Sequence, residues 1–494
     1  MKIRFAPTGK VAALLIAAVL AGCTVGPDYH LPAKAAFNAA GSRAPFVGAA
    51  NSSAVVQDSL PSQWWHMYRS PDLDRLVAAA LSENTDLRIA NANLERSRAM
   101  VDLARSQGQP RLGLDLGYQH AQLSAEQFLS SEYLTPFDIY DAKLSASYEL
   151  DLFGRIRRGI EAAKADDEAI EAARDWVRVS VAADVTSAYL EVCSTGAELA
   201  VAHRSFELQR QSLMLTRQLQ EGGRATRLDL TRSQNLVDQI ESGIPGIEAR
   251  QRNALFRLAT LTGKPPSEFE AGLTQCVAAP PMDRPIPVGD GTALLKRRPD
   301  VRAAERQLAG STAEIGVATA ELYPRVVLGA SIGSTGLVSD FLTHPTNLWS
   351  IGPGISWELN QSGPRARIAA ARAGEKAQLA RFDGVVLGAL RDVETALNNY
   401  THDLARQKSL EAARNGAANA VADAHLLQVQ GRSGALATLD AERVLVSADA
   451  ALSSVRTQIA HDQVALFLAL GGGWENETVA PEHSSVQSRA AVAQ

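Results

Sequence analysis

Four short stretches of the chain alternate apolar and polar residues with a period of two. Leu112, Leu114, Leu116 and Tyr118 form one row, with Gly113, Asp115, Gly117 and Gln119 between them. Tyr140, Ala142, Leu144, Ala146, Tyr148 and Leu150 form a second, against Asp141, Lys143, Ser145, Ser147 and Glu149. Val326, Leu328, Ala330 and Ile332 make a third, and Trp349, Ile351, Ile355, Trp357 and Leu359 a fourth. Successive side chains of a strand point to opposite faces, so each stretch predicts a β-strand with one apolar and one polar side.

The rest of the chain predicts helix. Ser70-Pro71-Asp72 is a helix start, a capping hydroxyl followed by proline at the first helical position, and helical periodicity continues to about Gln109. From Arg155 to Glu221 there is no proline, and glycine stands only at 159 and 196. At about 1.5 Å per residue this tract predicts one helix of roughly 100 Å. A counterpart runs from Arg365 toward Gln430. Frequent Arg, Asp, Glu and Gln exclude membrane-spanning helices, which leaves struts in a packed coil. The glycine-containing turns "EGGRATRLDL" from Glu221 and "QGRSGALATLD" from Gln430 reverse the chain, so each long helix is followed by an antiparallel partner. In the first partner, Gly243-Ile244-Pro245-Gly246 predicts a kink or break, because proline removes a helix hydrogen bond.

This succession occurs twice. "LSENTDLRIANANLERS" from Leu81 aligns with "LKRRPDVRAAERQLAGS" from Leu295 at an offset of 214 (300 − 86, pairing Asp86 with Asp300). Past the third strand the offset is 209 (357 − 148, Tyr148 with Trp357), so a loop between Pro324 and Gly363 is five residues shorter (214 − 209). Each strand pair ends in a junction, "YELDLFGRIRR" at 148–158 and "WELNQSGPRAR" at 357–367. Arg155, Arg157 and Arg158 then begin a helix, where cations oppose the macrodipole; neighbouring carboxylates or lipid head groups must compensate.

The N-terminus settles the compartment. Lys2, Arg4 and Lys10 precede a short apolar run over 11–22, which ends at Leu20-Ala21-Gly22-Cys23, a bacterial lipobox. Cleavage before Cys23 and acylation of its thiol are expected, and Thr24 in place of aspartate favours the outer membrane. A formal net charge of −5 gives no general field for nucleic acid, and only 5% of residues are aromatic. Cys193 and Cys276 lie 83 residues apart (276 − 193) in unlike contexts and are read as unpaired or incidental. In an exported lipoprotein with no other apolar material to cover a sheet, the alternating strands read as membrane strands of about 9 to 11 residues. Four cannot close a barrel, and lipid tolerates no open edge, so the protein must oligomerise.

The chain resembles the outer-membrane efflux proteins of the TolC family, specifically the NodT-type lipoprotein subgroup. The resemblance rests on "GCTVGPDYHLP" at 22–32, "YELDLFGRIRR" at 148, "LTGKPP" at 261, "LLKRRPDVRAAERQL" at 294, "ELYPRVVLGASIG" at 321, "LATLDAERVL" at 436 and "ALGGGW" at 469. It implies an α+β membrane protein: a homotrimer whose chains each give four strands to a 12-stranded barrel, continuous with a long α-helical coiled-coil tunnel through the periplasm. It also implies docking to a periplasmic adaptor (membrane fusion) protein and an inner-membrane pump of resistance-nodulation-division type. The expected organisation is a signal peptide over 1–22, an extended segment over 23–69, repeats over 70–283 and 284–475, and a flexible tail over 476–494. By resemblance the tunnel closes at the turn Gly431 to Asp440, with Leu436 as a hydrophobic constriction and Asp440 as an acidic one. Asp229 holds the analogous place in the first repeat. Physically, three gathered carboxylates repel one another and favour cations, and a leucine ring can dewet a lumen. The adaptor contacts fall on the turns holding Gly222, Gly223, Asp229, Gly431 and Gly434.

Enzyme chemistry is not expected. "GASIG" at 329–333 fits the hydrolase pattern G-x-S-x-G, but that motif needs a strand-to-helix turn and Ser331 sits inside an alternating run. "GKPP" at 263–266 lacks a phosphate-binding loop, and the nine histidines show no ligand spacing, so no catalytic residue, metal or cofactor beyond the lipid on Cys23 is expected. A type I protein-secretion channel and a periplasmic coiled-coil adaptor are the competing readings; the substrates cannot be read from the chain.

Overall fold

The computed structural model describes residues 24–474 apart from 51, 130, 132, 134 and 283. The expected signal peptide over 1–22, Cys23 and the expected tail over 476–494 lie outside the described residues. In chain order the elements are β1 (Val55–Val56), α1 (Pro71–Glu83), α2 (Thr85–Ser106), β2 (Arg111–Ala121), β3 (Phe137–Leu150), α3 (Arg155–Glu221), α4 (Arg227–Leu261), β4 (Ile286–Pro287), α5 (Gly291–Arg297), α6 (Pro299–Ala320), β5 (Arg325–Leu337), β6 (Asn347–Ser356), α7 (Ser362–Val429) and α8 (Ala435–Leu470). They sort into two compact units.

The first unit takes residues 24–35, 93–171 and 303–383. It contains a four-stranded antiparallel meander in the order β2-β3-β5-β6. All four strands fall on the alternating stretches, although β6 ends at Ser356, short of Trp357 and Leu359. The β5-to-β6 connection spans 338–346 and the β2-to-β3 connection 122–136, which is where the shorter offset of the second half arises.

The second unit takes residues 36–92, 172–302 and 384–474 and is helical. Its core gathers Trp64, Leu73, Leu76, Tyr189, Leu294 and Phe467, all buried. Trp64 stacks on Phe467 with ring centroids 4.4 Å apart and donates its indole N–H to the Gly472 carbonyl at 3.2 Å. The segment after the lipobox cysteine is therefore not simply extended; it folds into short 3₁₀ turns, the last over Trp64–Tyr68, that plug this core. β1 pairs in parallel with β4. Two arginines of "KRRPDVR" close the far end of α8: Arg297 Nε and Arg298 Nη1 donate to the carbonyls of Leu470 and Ala469 at 3.1 and 2.9 Å, satisfying acceptors that a helix C-terminus leaves open.

Three expectations change. The helix read from Ser70 to Gln109 is two helices, because Asn84 leaves helical geometry and its side chain accepts from the backbone N–H groups of Asp86 and Leu87 as the cap of α2. The matching tract divides at Arg298-Pro299 into α5 and α6, since a residue preceding proline avoids helical backbone. The long helix α4 is not broken at Pro245; it runs unbroken from Arg227 to Leu261, with Leu236, Val237 and Ile244 buried on one side, so packing outweighs one lost hydrogen bond.

The cysteines are the clearest correction: Cys193 and Cys276 form a disulfide, with Cα atoms 4.7 Å apart. Cys193 lies fully buried in α3, and the connector after α4 folds back to bring Cys276 against it. Gly196, one turn on, makes this approach possible, because a Cβ there would collide with the Cys276 carbonyl. Sequence spacing carries no trace of such a return.

Candidate functional site

Register sorts the middle of the sheet into an apolar and a polar face. Leu114 pairs with Leu144, Leu144 with Ile332, and Ile332 with Trp349, so one face carries an apolar row across all four strands. A second row runs through Leu112, Ala146, Ala330 and Ile351. Leu112, Trp349 and Ile351 are 77%, 76% and 77% exposed, so no described residue covers these two rows at either edge of the sheet. The opposite face presents Asp115 beside Lys143, Ser145 beside Ser331, and Ser331 hydrogen-bonded to Ser350 at 2.8 Å. That bond places Ser331 in mid-strand, away from any strand-to-helix turn. An apolar face open to the outside over a polar face with glycines is the pattern of strands that meet lipid on one side and water on the other. No helix among the described residues is long and apolar enough to cross a membrane. β2 and β6 each leave one edge unpaired among the described residues.

At the foot of β3 the sequence posed an electrostatic problem, and carboxylates answer it. Asp151 accepts the backbone N–H groups of Ile156 at 3.1 Å and Arg157 at 2.9 Å, capping α3. Glu149 bonds Arg155 at 3.0 Å and Arg325 at 2.6 Å. Arg158, almost fully buried, donates to Asp28 and Glu161 at 2.7 Å each and to the Val25 carbonyl at 3.2 Å. Each cation that opposes the helix dipole thus has a carboxylate within bonding distance. At the second junction Asn360 does the capping and accepts the Ser362 backbone N–H at 3.2 Å.

The two hairpin turns lie in the helical unit and share one construction. Gly223 and Gly431 have φ of +73° and +67°, and the following arginines, Arg224 and Arg432, donate their backbone N–H groups to Leu219 and Leu427 at 2.7 and 2.9 Å. These are Schellman stops, which need a residue tolerant of left-handed backbone. The helices that leave the turns differ. The α4 start has a reciprocal capping box: Thr226 Oγ1 accepts from the Asp229 backbone N–H at 3.1 Å, and the Asp229 carboxylate accepts from Thr226 N–H at 2.9 Å. The hydroxyl and backbone donors of Thr226 hold the Asp229 carboxyl below its ordinary pKa. At the α8 start the capping position is Gly434, and no side chain caps the helix. There Thr438 and Leu439 turn inward, while Leu436, Ala437 and Asp440 line an open recess with Gly434. Leu436 is half exposed and Asp440 pairs with the exposed Arg443 at 2.8 Å. The residues named for the constriction therefore share one outward face, whereas Asp229 is committed to a cap.

Residues 76–264 and 292–472 each match the family model described as outer membrane efflux protein. The chain belongs to that family. Outer membrane protein OprJ of Pseudomonas aeruginosa is 30% identical over 95% of this chain and 97% of its own length. Nodulation protein T of Rhizobium leguminosarum bv. trifolii is 28% identical over 92% of this chain and 96% of its own length. Among solved structures, the outer-membrane channel OprN superposes with a TM-score of 0.84 at 34% identity, covering 92% of this chain and all of OprN. As an outer membrane efflux protein the chain resides in the outer membrane, and the exposed apolar face of its sheet acquires a solvent.

Sequence reasoning missed one feature of this family member. Residues 25–29 are docked on the junction, with Val25 N–H donating to the Phe153 carbonyl at 3.2 Å and Tyr29 OH to Glu305 at 3.2 Å. The only sequence trace was the motif "TVGPDYH", whose role depends on contacts 130 or more residues away.

Proposed function

We propose that the chain is the outer-membrane channel of a tripartite efflux system and works as a homotrimer. The observation that carries the reading is the four-stranded sheet with one lipid-compatible face and two open edges. An open edge in hydrocarbon leaves backbone groups without partners, so β6 of one copy pairs with β2 of the next until the sheet closes. Three copies of four strands give 12 (3 × 4), within the range of closed membrane barrels. The long hairpins α3–α4 and α7–α8 of each copy then form a coiled-coil tunnel, and the double family match accords with a tandem repeat.

Transport here is passive conduction without catalysis. Lipid on Cys23 anchors each chain, a periplasmic adaptor grips the turns at Gly222–Asp229 and Gly431–Asp440, and an inner-membrane pump of resistance-nodulation-division type supplies substrate. Leu436 and Asp440 narrow the tip, since three carboxylates about an axis repel one another and a leucine ring excludes water. Migration as a heat-resistant trimer in detergent gels, together with ion conductance in planar bilayers, tests the reading. A monomeric, non-conducting protein would refute it.

A further inference from the structure

Below the sheet, in the same compact unit, the first turns of α3, one side of α6 and residues 28–29 enclose a cleft of about 590 Å³. Its charged lining is balanced: Arg157, Lys164 and Arg306 against Asp28, Glu161 and Glu168. Ile160 and Ala309 supply apolar wall. Arg157, Ile160, Glu161, Lys164 and Glu168 recur at three- and four-residue steps and so form a single stripe of α3. Most of the charges are already engaged. Arg306 pairs with Glu168 and Glu305 at 3.2 and 2.9 Å, and the buried Arg158 holds one oxygen each of Asp28 and Glu161 from beneath. Asp28 remains 78% exposed at its side chain and so keeps acceptor capacity facing the cleft mouth. Lys164 is exposed and has no carboxylate partner among the described residues.

The level of the cleft is set by the elements above it. The apolar face of the sheet ends at an aromatic layer in which Phe153 stacks on Tyr323 at 4.5 Å and the Trp357 indole donates to the Leu322 carbonyl at 3.0 Å. Such amphipathic rings mark the boundary between hydrocarbon and headgroups. The headgroup layer is roughly 5–7 Å thick on each side, and α3 descends about 1.5 Å per residue, so Arg157 falls inside that layer. Lys164 lies about 10 Å lower, but helical side chains lean toward the N-terminus and a long lysine snorkels upward.

We propose that this cleft is a binding site for one zwitterionic phospholipid headgroup of the phosphoethanolamine class per chain. The phosphate sits between Lys164 and Arg157, and the ammonium between Asp28 and Glu161. A bare anion is disfavoured because three carboxylates face the same space, whereas a zwitterion answers both signs of the lining. The headgroup thereby fixes the depth of the junction in the membrane. This rests on the membrane placement of the sheet, which is tested separately by conductance of the wild-type protein.

The test is native mass spectrometry of the full-length protein purified in detergent and incubated with phosphatidylethanolamine, phosphatidylglycerol or inorganic phosphate. Retention of phosphatidylethanolamine about tenfold above phosphatidylglycerol is expected, falling about tenfold in Lys164→Glu, with trimer and conductance unchanged. Equal retention of the two lipids, or undiminished phosphatidylethanolamine on Lys164→Glu, overturns the proposal. Displacement of the lipid by millimolar inorganic phosphate also overturns it, since a phosphate site alone would then account for the binding.

Discussion

Asp151 Oδ1 stands 3.1 Å from the backbone nitrogen of Ile156, so the last acidic residue before the helix caps a first turn that carries three arginines. Removing that carboxylate takes the cap from the first turn and the Asp151 ion pair from Arg157, while Arg155 and Arg158 keep theirs with Glu149, Asp28 and Glu161. Asp151→Ala is expected to cost about 1 kcal/mol of stability. Asp151→Asn should lose less, because Asn360 already performs this task at the other junction. Thermal denaturation of the detergent-solubilised protein, read by loss of helical circular dichroism, distinguishes the two variants.

The disulfide fastens the connector after α4 to a fully buried position of α3. Opening it frees a long loop in the unfolded chain, so Cys276→Ser should destabilise the protein by about 2–4 kcal/mol. A reductant should lower the melting temperature of the wild type toward that of the variant and leave the variant itself unmoved. Equal melting temperatures with and without reductant in the wild type would contradict this.

At the tip, Leu436 and Asp440 share an exposed face of a helix that starts without a side-chain cap. Truncating both with Leu436→Ala and Asp440→Ala is expected to raise single-channel conductance in planar bilayers. Asp229→Ala should instead act on stability, since its carboxylate closes the capping box with Thr226. Conductance unchanged in the double variant would remove these two residues from the gate.

Acid should loosen the helical unit through Glu191. Its carboxylate accepts from His461 Nε2 at 2.7 Å, and that hydrogen bond, with Arg250 nearby, holds its pKa below the ordinary value. A lowered folded-state pKa gives stabilisation that is complete above the unfolded value of about 4.3 and is lost as pH falls through the lower one. The melting temperature should therefore drop as pH falls below about 4, and Glu191→Gln should flatten that part of the profile.

Much of the fold was legible because its elements obey local rules. A period of two can only be read as a strand with two different faces, and the register of β2, β3, β5 and β6 keeps Leu114, Leu144, Ile332 and Trp349 in one row, as the alternation required. The 67 residues of α3 were bounded in advance by Gly154 and Gly222, because an uninterrupted tract of helix formers has no other place to stop. The turns were legible for the same reason, since Gly223 and Gly431 supply backbone that other residues resist.

What the sequence could not decide depends on which distant groups meet. Arg158 reads as one more cation at a helix start, and only the folded chain brings Val25 and Asp28 to it across 133 and 130 residues. Cys193 and Cys276 read as strangers until the connector doubles back beside Gly196. Pro245 reads as a helix breaker until burial of its neighbours overrules the lost hydrogen bond. By itself the sequence determined the periodicity, the reversals and the address of this protein, which follow from backbone sterics and from the polarity of each residue. The tertiary structure decided the compensation of charge at the junction, the disulfide and the difference between the two hairpin tips, because those energies belong to pairs of groups and not to any one residue.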